Sequence, residues 1–130
     1  MPIDRRDFVF CATLVLAAAS RTAPASAKES TMYGLIGKMI AKPGQRDALV
    51  TLLLDGTADM PGCLSYVIAL DTADADAIWI TEVWDGEASH AASLKLPQVQ
   101  AAIGKARPLI AGAGERFVTT PVGGQGLPGR

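Results

Sequence analysis

Apolar side chains recur along this chain at two spacings, and each spacing predicts a different kind of element. Alternation with a period of two, in segments rich in β-branched and aromatic residues, predicts strands. Apolar residues three and four positions apart predict helices. The pattern predicts, in order, a strand at 32–41, a helix at 45–55, strands at 63–70 and 77–84, helices from about 86 and from 97, and a strand at 115–121.

Proline and glycine residues set the predicted boundaries. Lys42-Pro43-Gly44 forms a turn that suits the start of a helix, because proline is tolerated at the first helical position. The helix from Pro97 is predicted to carry one apolar stripe, made of Val99, Ile103, Ala106 and Ile110. Pro108 is expected to bend or shorten it, and Gly112-Ala113-Gly114 is expected to end it.

The order strand, helix, strand, strand, helices, strand predicts an α+β fold. It is the order of a ferredoxin-like sandwich, in which helices cover one face of a four-stranded antiparallel sheet. Both alternations of the strands are apolar: Leu35, Met39 and Trp79 fall on one, and Ile36, Ile40, Ile78 and Ile80 on the other. A bare apolar sheet face is larger than a soluble monomer usually tolerates. We therefore expect a face-to-face homodimer, a dimeric α/β-barrel, that encloses a cavity between sheet and helices.

The first 27 residues are typical of an export signal. Arg5-Arg6 precedes an apolar run at 8–20 that is too short to span a membrane, and Ala25-Ser26-Ala27 is typical of a cleavage site. The adjacent arginines favour the twin-arginine route over an ordinary secretory signal. We expect a periplasmic or secreted protein without stable membrane insertion after cleavage, with one domain at 28–121 and a flexible Gly/Pro-rich tail at 122–130.

Charge and composition exclude several classes of function. After residue 27 the chain has nine basic and eleven acidic residues without a basic stripe, which argues against nucleic acid as a partner. Cys63 is then the single cysteine, so no disulfide forms within one subunit, and we interpret it as a small buried apolar residue. One histidine and one cysteine do not make a conventional metal site, and no phosphate-binding glycine motif is present. No metal or cofactor is predicted.

Glu82 is the residue that most needs an explanation. It lies two positions from Trp84 on an apolar strand, so both side chains project from one face of the sheet, and His90 follows closely. A carboxylate removed from water must be paired or must change its pKa. One interpretation is a structural ion pair to Arg107, Arg116 or Lys38. For Trp84, Trp79 and Tyr66 the alternative to a functional role is core packing; for His90 it is a surface position on a helix.

Five segments, in order, resemble one known family. They are Lys42-Pro43-Gly44, Pro61-Gly62-Cys63-Leu64-Ser65-Tyr66, Thr81-Glu82-Val83-Trp84-Asp85, Ala88-Ser89-His90-Ala91-Ala92-Ser93-Leu94 and Arg107-Pro108-Leu109-Ile110-Ala111-Gly112. Together they cover nearly all of the domain. The chain resembles the antibiotic biosynthesis monooxygenase superfamily, in particular its small quinol monooxygenase-like members.

The resemblance implies a homodimer that oxidises a small quinol or polyphenol-like aromatic with molecular oxygen, without metal or flavin. Under it, Glu82 and His90 are the candidates for proton transfer. Candidates for substrate contact are Tyr66, Trp84, Trp79 and Arg107, the last by pairing with a phenolate or with Glu82. Two alternatives stay open: a non-catalytic dimeric binding protein for a small aromatic or apolar ligand, and a structural member with a filled cavity.

The chain departs from part of the family in one respect. Some relatives, including haem-degrading members, combine an asparagine with a tryptophan and a histidine, and this chain contains no asparagine. The departure argues against haem degradation and against an asparagine-assisted mechanism. It leaves the catalytic base unassigned.

Overall fold

Four antiparallel strands and three helices make up the part of the chain that the computed structural model describes, residues 31–128. The elements are β1 (Tyr33–Ala41), α1 (Arg46–Gly56), β2 (Cys63–Leu70), β3 (Ala77–Trp84), α2 (Glu87–Ser93), α3 (Pro97–Ala106), a 3₁₀ turn (Arg107–Leu109) and β4 (Ile110–Thr119). The sheet order is β2-β3-β1-β4. The predicted ferredoxin-like α+β fold is confirmed. The predicted export signal at 1–27 lies outside the described residues and stays a prediction.

The end of α3 is the main difference from the predicted elements. The helix ends at Ala106, and Ile110, which was expected on its apolar stripe, is the first residue of β4. Pro108 explains the change, because it has no backbone N–H and disfavours helical geometry at the residue before it. The chain then pairs Ile110 with Ala41 of β1. Gly112-Ala113-Gly114 therefore lies inside a strand, and its assignment as a helix stop was wrong.

The register between β1 and β3 decides which side chains the helices cover. Leu35 lies opposite Glu82, and Met39 lies opposite Ile78, so odd positions of β1 share a face with even positions of β3. Trp79 lies opposite Lys38 on the other face. The predicted grouping of Trp79 with Leu35 and Met39 was therefore wrong, because a residue number alone does not relate the faces of two strands.

The covered face contains two groups of packed side chains. The larger group joins strands β1 and β3 to helices α1 and α3 through Ala41, Leu49, Leu53, Ile78, Ile80 and Ala106. The smaller group lies at the other end of β3, where Trp84 packs with Met60 and Val99. Burying one large apolar side chain contributes about 1.5–3 kcal/mol to stability. The second group therefore anchors α3 and the Met60 turn around the indole.

The opposite sheet face has no covering element among residues 31–128. Val67 on β2 and Phe117 on β4 are each 52% exposed there. Ile36 and Ile40 of β1 share this face, so the sheet is apolar on both sides. No helix within the described range has the length and apolar character needed to cross a bilayer.

Three register shifts change the alternation of the outer strands, one near the start of β2 and two within β4. The β2 register shifts between Cys63 and Ser65, so Cys63 pairs with Trp84 while Tyr66 pairs with Glu82. A second shift places both Arg116 and Ala113 of β4 on the covered face, opposite Gly37 and Met39. In each pair the two residues are three positions apart, a separation that an unbroken strand would direct to opposite faces.

Hydrogen bonds hold the connection between β2 and β3. Arg46 Nη1 donates to the carbonyl oxygens of Asp71, Asp74 and Ala77 at 3.2, 3.1 and 3.3 Å. Asp71 Oδ2 accepts a hydrogen bond from Trp79 Nε1 at 2.8 Å, and Lys38 Nζ lies 3.8 Å from the same oxygen. The bond from Trp79, two backbone N–H donors and the Lys38 charge together lower the pKa of Asp71 to about 2.

Replacing Leu49 by alanine tests the larger core group. Leu49 is fully buried on α1, so Leu49→Ala should lower the free energy of unfolding by about 2–5 kcal/mol, measured by urea denaturation. Leu54→Ala on the same helix is the matched control, because Leu54 is 53% exposed and its loss should change stability by less than about 1 kcal/mol. Equal losses in the two variants would contradict the proposed packing.

The low pKa of Asp71 predicts a specific loss of stability in acid. Folding favours the charged form of Asp71. Its contribution to the free energy of unfolding is therefore fully present above the unfolded pKa near 4 and disappears as the pH falls through about 2. Unfolding measured from pH 5 to pH 2 should show Asp71→Asn less stable than the wild type at pH 5, with the difference shrinking toward pH 2. Trp79→Phe removes one donor and should reproduce part of this pH dependence. A difference that is constant with pH would refute the assignment.

Candidate functional site

Glu82 and Trp84 form a hydrogen-bonded pair on the covered face of β3. Trp84 Nε1 donates to Glu82 Oε1 at 2.9 Å, and the indole is fully buried. The bond satisfies an N–H that burial would otherwise leave without a partner. It also restricts the carboxylate, whose other oxygen, Oε2, has no hydrogen-bond donor among residues 31–128. The indole therefore holds one oxygen in place, whereas the other oxygen is not held by a hydrogen bond from residues 31–128.

His90 lies against this pair and is not at the surface. Its imidazole packs edge-on to the Trp84 indole, with ring centroids 5.5 Å apart, and lies 5.4 Å from the Tyr33 ring. Nε2 of His90 is 3.9 Å from Glu82 Oε1, which is longer than a hydrogen bond but close enough for an ion pair. The side chains of His90 and Glu82 are 17% and 16% exposed. The surface-helix interpretation of His90 was therefore wrong.

Tyr66 and Cys63 lie beside the carboxylate on β2. Burial is the largest cause that raises the pKa of Tyr66, and the negative charge of Glu82 raises it further. Burial is also the main cause that raises the pKa of the Cys63 thiol. Both groups therefore stay protonated at neutral pH. The raised pKa of Cys63 agrees with its interpretation as an apolar residue and not as a reactive thiol.

A cavity of about 200 Å³ opens on the covered face over β1 and β4. Its apolar wall is formed by Leu35, Met39, Ile80 and Ala113. Glu82 lies at one edge of it, and Arg116 lies at another. Gly37 lies between them on β1, directly opposite Arg116. Lys38 and Glu115 also border the cavity, so two acidic and two basic residues surround an apolar space.

Arg116 and Lys38 do not form an ion pair with Glu82. No arginine or lysine nitrogen within residues 31–128 lies within 4.0 Å of the Glu82 carboxylate, and Lys38 pairs with Asp71 on the other face. The structural ion pair considered for Glu82 is thus absent from the described part of the chain. Its partners there are the Trp84 indole and, at longer distance, the His90 ring.

Trp79 and Arg107 lie away from Glu82. Trp79 projects from the opposite face of β3 and binds Asp71. Arg107 is exposed in the turn whose Leu109 carbonyl accepts a hydrogen bond from Lys42, beyond the last residue of β1. Glu82 pairs with Leu35 near the first residue of that strand, so roughly 20 Å of strand separates the two positions. The structure therefore does not bring these two predicted substrate contacts to the cavity.

Tyr66 and Trp84 are near the carboxylate but do not line this cavity. Tyr66 lies opposite Glu82 and borders a second, more polar hollow of about 410 Å³ beside the last turn of α1. Trp84 is fully buried beneath His90. Their contact with Glu82 positions the carboxylate, whereas Leu35 and Ile80 form the adjoining wall of the cavity.

Tyr33 and Gly37 were not predicted as site residues, and Arg116 was considered only as an ion-pair partner of Glu82. Tyr33 lies opposite Trp84, and only the strand register reveals that they share a face. The β4 bulge places Arg116 at the cavity, and Gly37 has no side chain whose chemistry would indicate a role. A cluster of three or more metal-ligating residues is not found within residues 31–128.

Solved structures of similar fold cover most of this chain. A protein from Chloroflexus aurantiacus described as a candidate antibiotic biosynthesis monooxygenase is 64% identical, with a TM-score of 0.73 over 75% of this chain and 99% of that one. A similarly described protein from Caulobacter crescentus is 18% identical, with a TM-score of 0.66 over 76% and 98% of the two chains. SnoaB, a cofactor-independent oxygenase from Streptomyces nogalater, is 12% identical, with a TM-score of 0.59 over 74% and 98%. The last two show similarity of fold alone.

Sequence comparison agrees with the structural comparison. No curated protein sequence matches the chain. The family profile of the antibiotic biosynthesis monooxygenases matches residues 32–105, which extend from the start of β1 almost to the end of α3. That range includes the Glu82–Trp84 pair and His90. The chain belongs to the antibiotic biosynthesis monooxygenase family.

Proposed function

We propose that this protein is a cofactor-independent monooxygenase that oxidises a small quinol or polyphenol-like aromatic with molecular oxygen. Family membership supports a monooxygenase-type function in general. The observation that carries the finer proposal is the free oxygen of Glu82 at the edge of an apolar cavity, with the other oxygen bound to Trp84. A carboxylate in that position can take a proton from a phenol.

The proposed reaction balances without any further reductant. One quinol and one O₂ give one hydroxyquinone and one water. One oxygen atom enters the ring and the other leaves as water, and all four electrons come from the substrate. Loss of the phenolic proton comes first, because the phenolate transfers an electron to O₂ more readily than the phenol does. The protein must therefore supply a base, stabilise an anion and limit the access of water.

Glu82 is the proposed base, acting through Oε2. The Trp84 bond to Oε1 keeps the carboxylate from rotating, which favours one direction of proton transfer. His90 is proposed to assist this transfer from the other oxygen of the carboxylate, since its Nε2 lies 3.9 Å from Oε1 and its ring is partly exposed. The proton is returned when the peroxide formed on the ring breaks down to water and the carbonyl product.

Arg116 replaces Arg107 as the proposed partner of the phenolate. It borders the same cavity as Glu82, and no carboxylate among residues 31–128 lies within 4.0 Å of its guanidinium. Arg116 is exposed at the rim of the cavity beside Glu115, and its positive charge can stabilise a negative charge that develops there. Proton transfer to one edge of the cavity and anion stabilisation at the other then act on the same ring.

The proposed enzyme is a homodimer that packs the bare faces of two sheets together. The face that includes Val67 and Phe117 exposes these apolar side chains in one chain, which supports burial against a second copy. Lys38 and Asp71 pair at this face, so one of its charged groups already has a partner. Such a dimer would leave the helices outermost.

Replacing Glu82 by glutamine tests the base directly. Purified protein from residue 28 onward is given a panel of hydroquinones, and oxygen uptake is compared with autoxidation. We expect Glu82→Gln to lower turnover by about 100- to 10,000-fold, because proton transfer is lost while shape and size are kept. Glu87→Gln, at the exposed first turn of α2, is the matched control and should retain full turnover.

The outcomes of this experiment separate the candidate functions. Retained turnover in the folded double variant Glu82→Gln with His90→Ala would remove both residues from proton transfer. If the wild type binds hydroquinones but turns none over faster than autoxidation, the binding-protein alternative is favoured over the enzyme. If the protein shows no turnover and no ligand-induced thermal shift, a structural role is favoured.

The proposed dimer predicts a matched pair of variants. Val67→Lys places a charge on the bare face and should convert the dimer to a monomer, as measured by sedimentation at micromolar concentration. Leu54→Lys is the control, because Leu54 is 53% exposed on α1 and Val67 is 52% exposed on β2. A wild-type monomer, or a dimer that survives Val67→Lys, would contradict face-to-face packing.

A further inference from the structure

Gly37 occupies the middle of the central strand and has open space where its side chain would be. It lies on the covered face, with Ile80 opposite it on β3 and Arg116 opposite it on β4. A Cβ atom built on Gly37 meets no other atom within 4 Å. The space it would enter is the 200 Å³ cavity, which Gly37 itself lines. The missing side chain therefore forms part of the floor of that cavity.

Backbone conformation and packing do not account for glycine at this position. Gly37 is not among the glycines with positive φ, so alanine can adopt its conformation. Gly34 and Gly114 differ, because a Cβ on Gly34 would collide with Thr119 and Pro121, and one on Gly114 would come within 2.8 Å of the Lys38 side chain. Gly112 of β4 also has open space at its Cβ position, but it lies opposite Ile40 on the bare face of the sheet. A strand-interior glycine lowers stability, and it often marks a place where a ligand approaches the backbone.

The polar groups around Gly37 indicate what would approach. Arg116 is directly across from it, roughly 5 Å away between backbones. Glu82 lies opposite Leu35, two positions before Gly37 on β1, so it is a diagonal neighbour of Gly37 at about 7–8 Å between backbones. A flat ring lying on the Gly37 backbone would have a carboxylate at one edge and a guanidinium at the other. Hydroxyl groups at opposite ends of a ring match these two positions.

We propose that Gly37 is the specificity-determining residue of this site: its bare backbone is the floor on which a one- or two-ring phenol lies flat between Glu82 and Arg116. The proposal rests on the proposed function only for the reaction that follows binding, because binding of the ligand does not require turnover. The size class follows from the volume, because 200 Å³ somewhat exceeds the roughly 150 Å³ of a cavity that holds one benzene ring.

Binding of two simple phenols to glycine variants tests the floor. Phenol and 2-naphthol serve as one-ring and two-ring probes, titrated by calorimetry into wild type, Gly37→Ala and Gly37→Val. We expect Gly37→Ala to bind 2-naphthol at least tenfold more weakly than the wild type, because one added methyl group occupies the space of the ring. Gly37→Val should bind neither probe measurably.

Stability separates a filled cavity from a damaged fold. Gly37→Ala should unfold at the same temperature as the wild type or a higher one, since alanine restricts the unfolded chain and meets open space. Gly104→Ala is the matched control: it lies on the exposed surface of α3, its Cβ also meets open space, and its affinity for both probes should equal that of the wild type. Weaker binding by a stable Gly37→Ala variant supports the floor.

The other results of these measurements distinguish failure of the Gly37 floor from failure of the enzyme activity. The role of Gly37 would be overturned if Gly37→Ala and Gly37→Val bound 2-naphthol as tightly as the wild type does. It would also be overturned if the wild type bound neither probe. If probe binding depends on Gly37 as expected but no quinol is turned over, the proposed enzyme activity fails and the floor stands. If quinols are turned over equally by wild type and Gly37→Val, the activity stands and the floor fails.

Discussion

The pairing of β1 with both β3 and β4 is the constraint on which the rest of the molecule depends. β1 is a central strand, so its register decides at once which residues of three strands face the helices. A slip of one residue would move Glu82 and Trp84 to the bare face and expose the side chains that now pack against α1 and α3. The core and the candidate site are therefore specified together.

The covered face combines two demands that normally conflict. Its apolar side chains hold the helices, whereas Glu82 places a carboxylate among them. The conflict is reduced because the carboxylate accepts a hydrogen bond from the Trp84 indole N–H. The indole itself packs with Met60 and Val99 in the smaller core group. Removing the carboxylate thus affects a core residue as well as the site. Burial on this face also raises the pKa values of Tyr66 and Cys63, and the charge of Glu82 adds to the effect.

Local patterns predicted more of the fold than of the site. β2 and β3 have the predicted bounds, because alternation and the flanking turns are properties of short segments. Glu82, Trp84 and His90 could be associated because they are close in sequence. Arg116 was considered only as an ion-pair partner of Glu82, and Gly37 was not considered, because their places at the cavity depend on a bulge in β4 and on long-range pairing. Trp79 was misplaced for the same reason: its face is decided by its partner Lys38, and no local pattern reveals that partner.

The Arg46 contacts have a consequence for how this protein can be altered. The connection between β2 and β3 is short, polar and acidic, which ordinarily marks a loop that accepts an inserted peptide or new chain termini. Here two of its backbone carbonyls, those of Asp71 and Asp74, share one guanidinium nitrogen of Arg46 with the carbonyl of Ala77 at the start of β3. Nε of the same side chain is buried without a hydrogen-bond partner. Lengthening the loop would withdraw those carbonyls from a cation that has few other contacts. The polar loop is therefore a poor place for an epitope tag or a circular permutation.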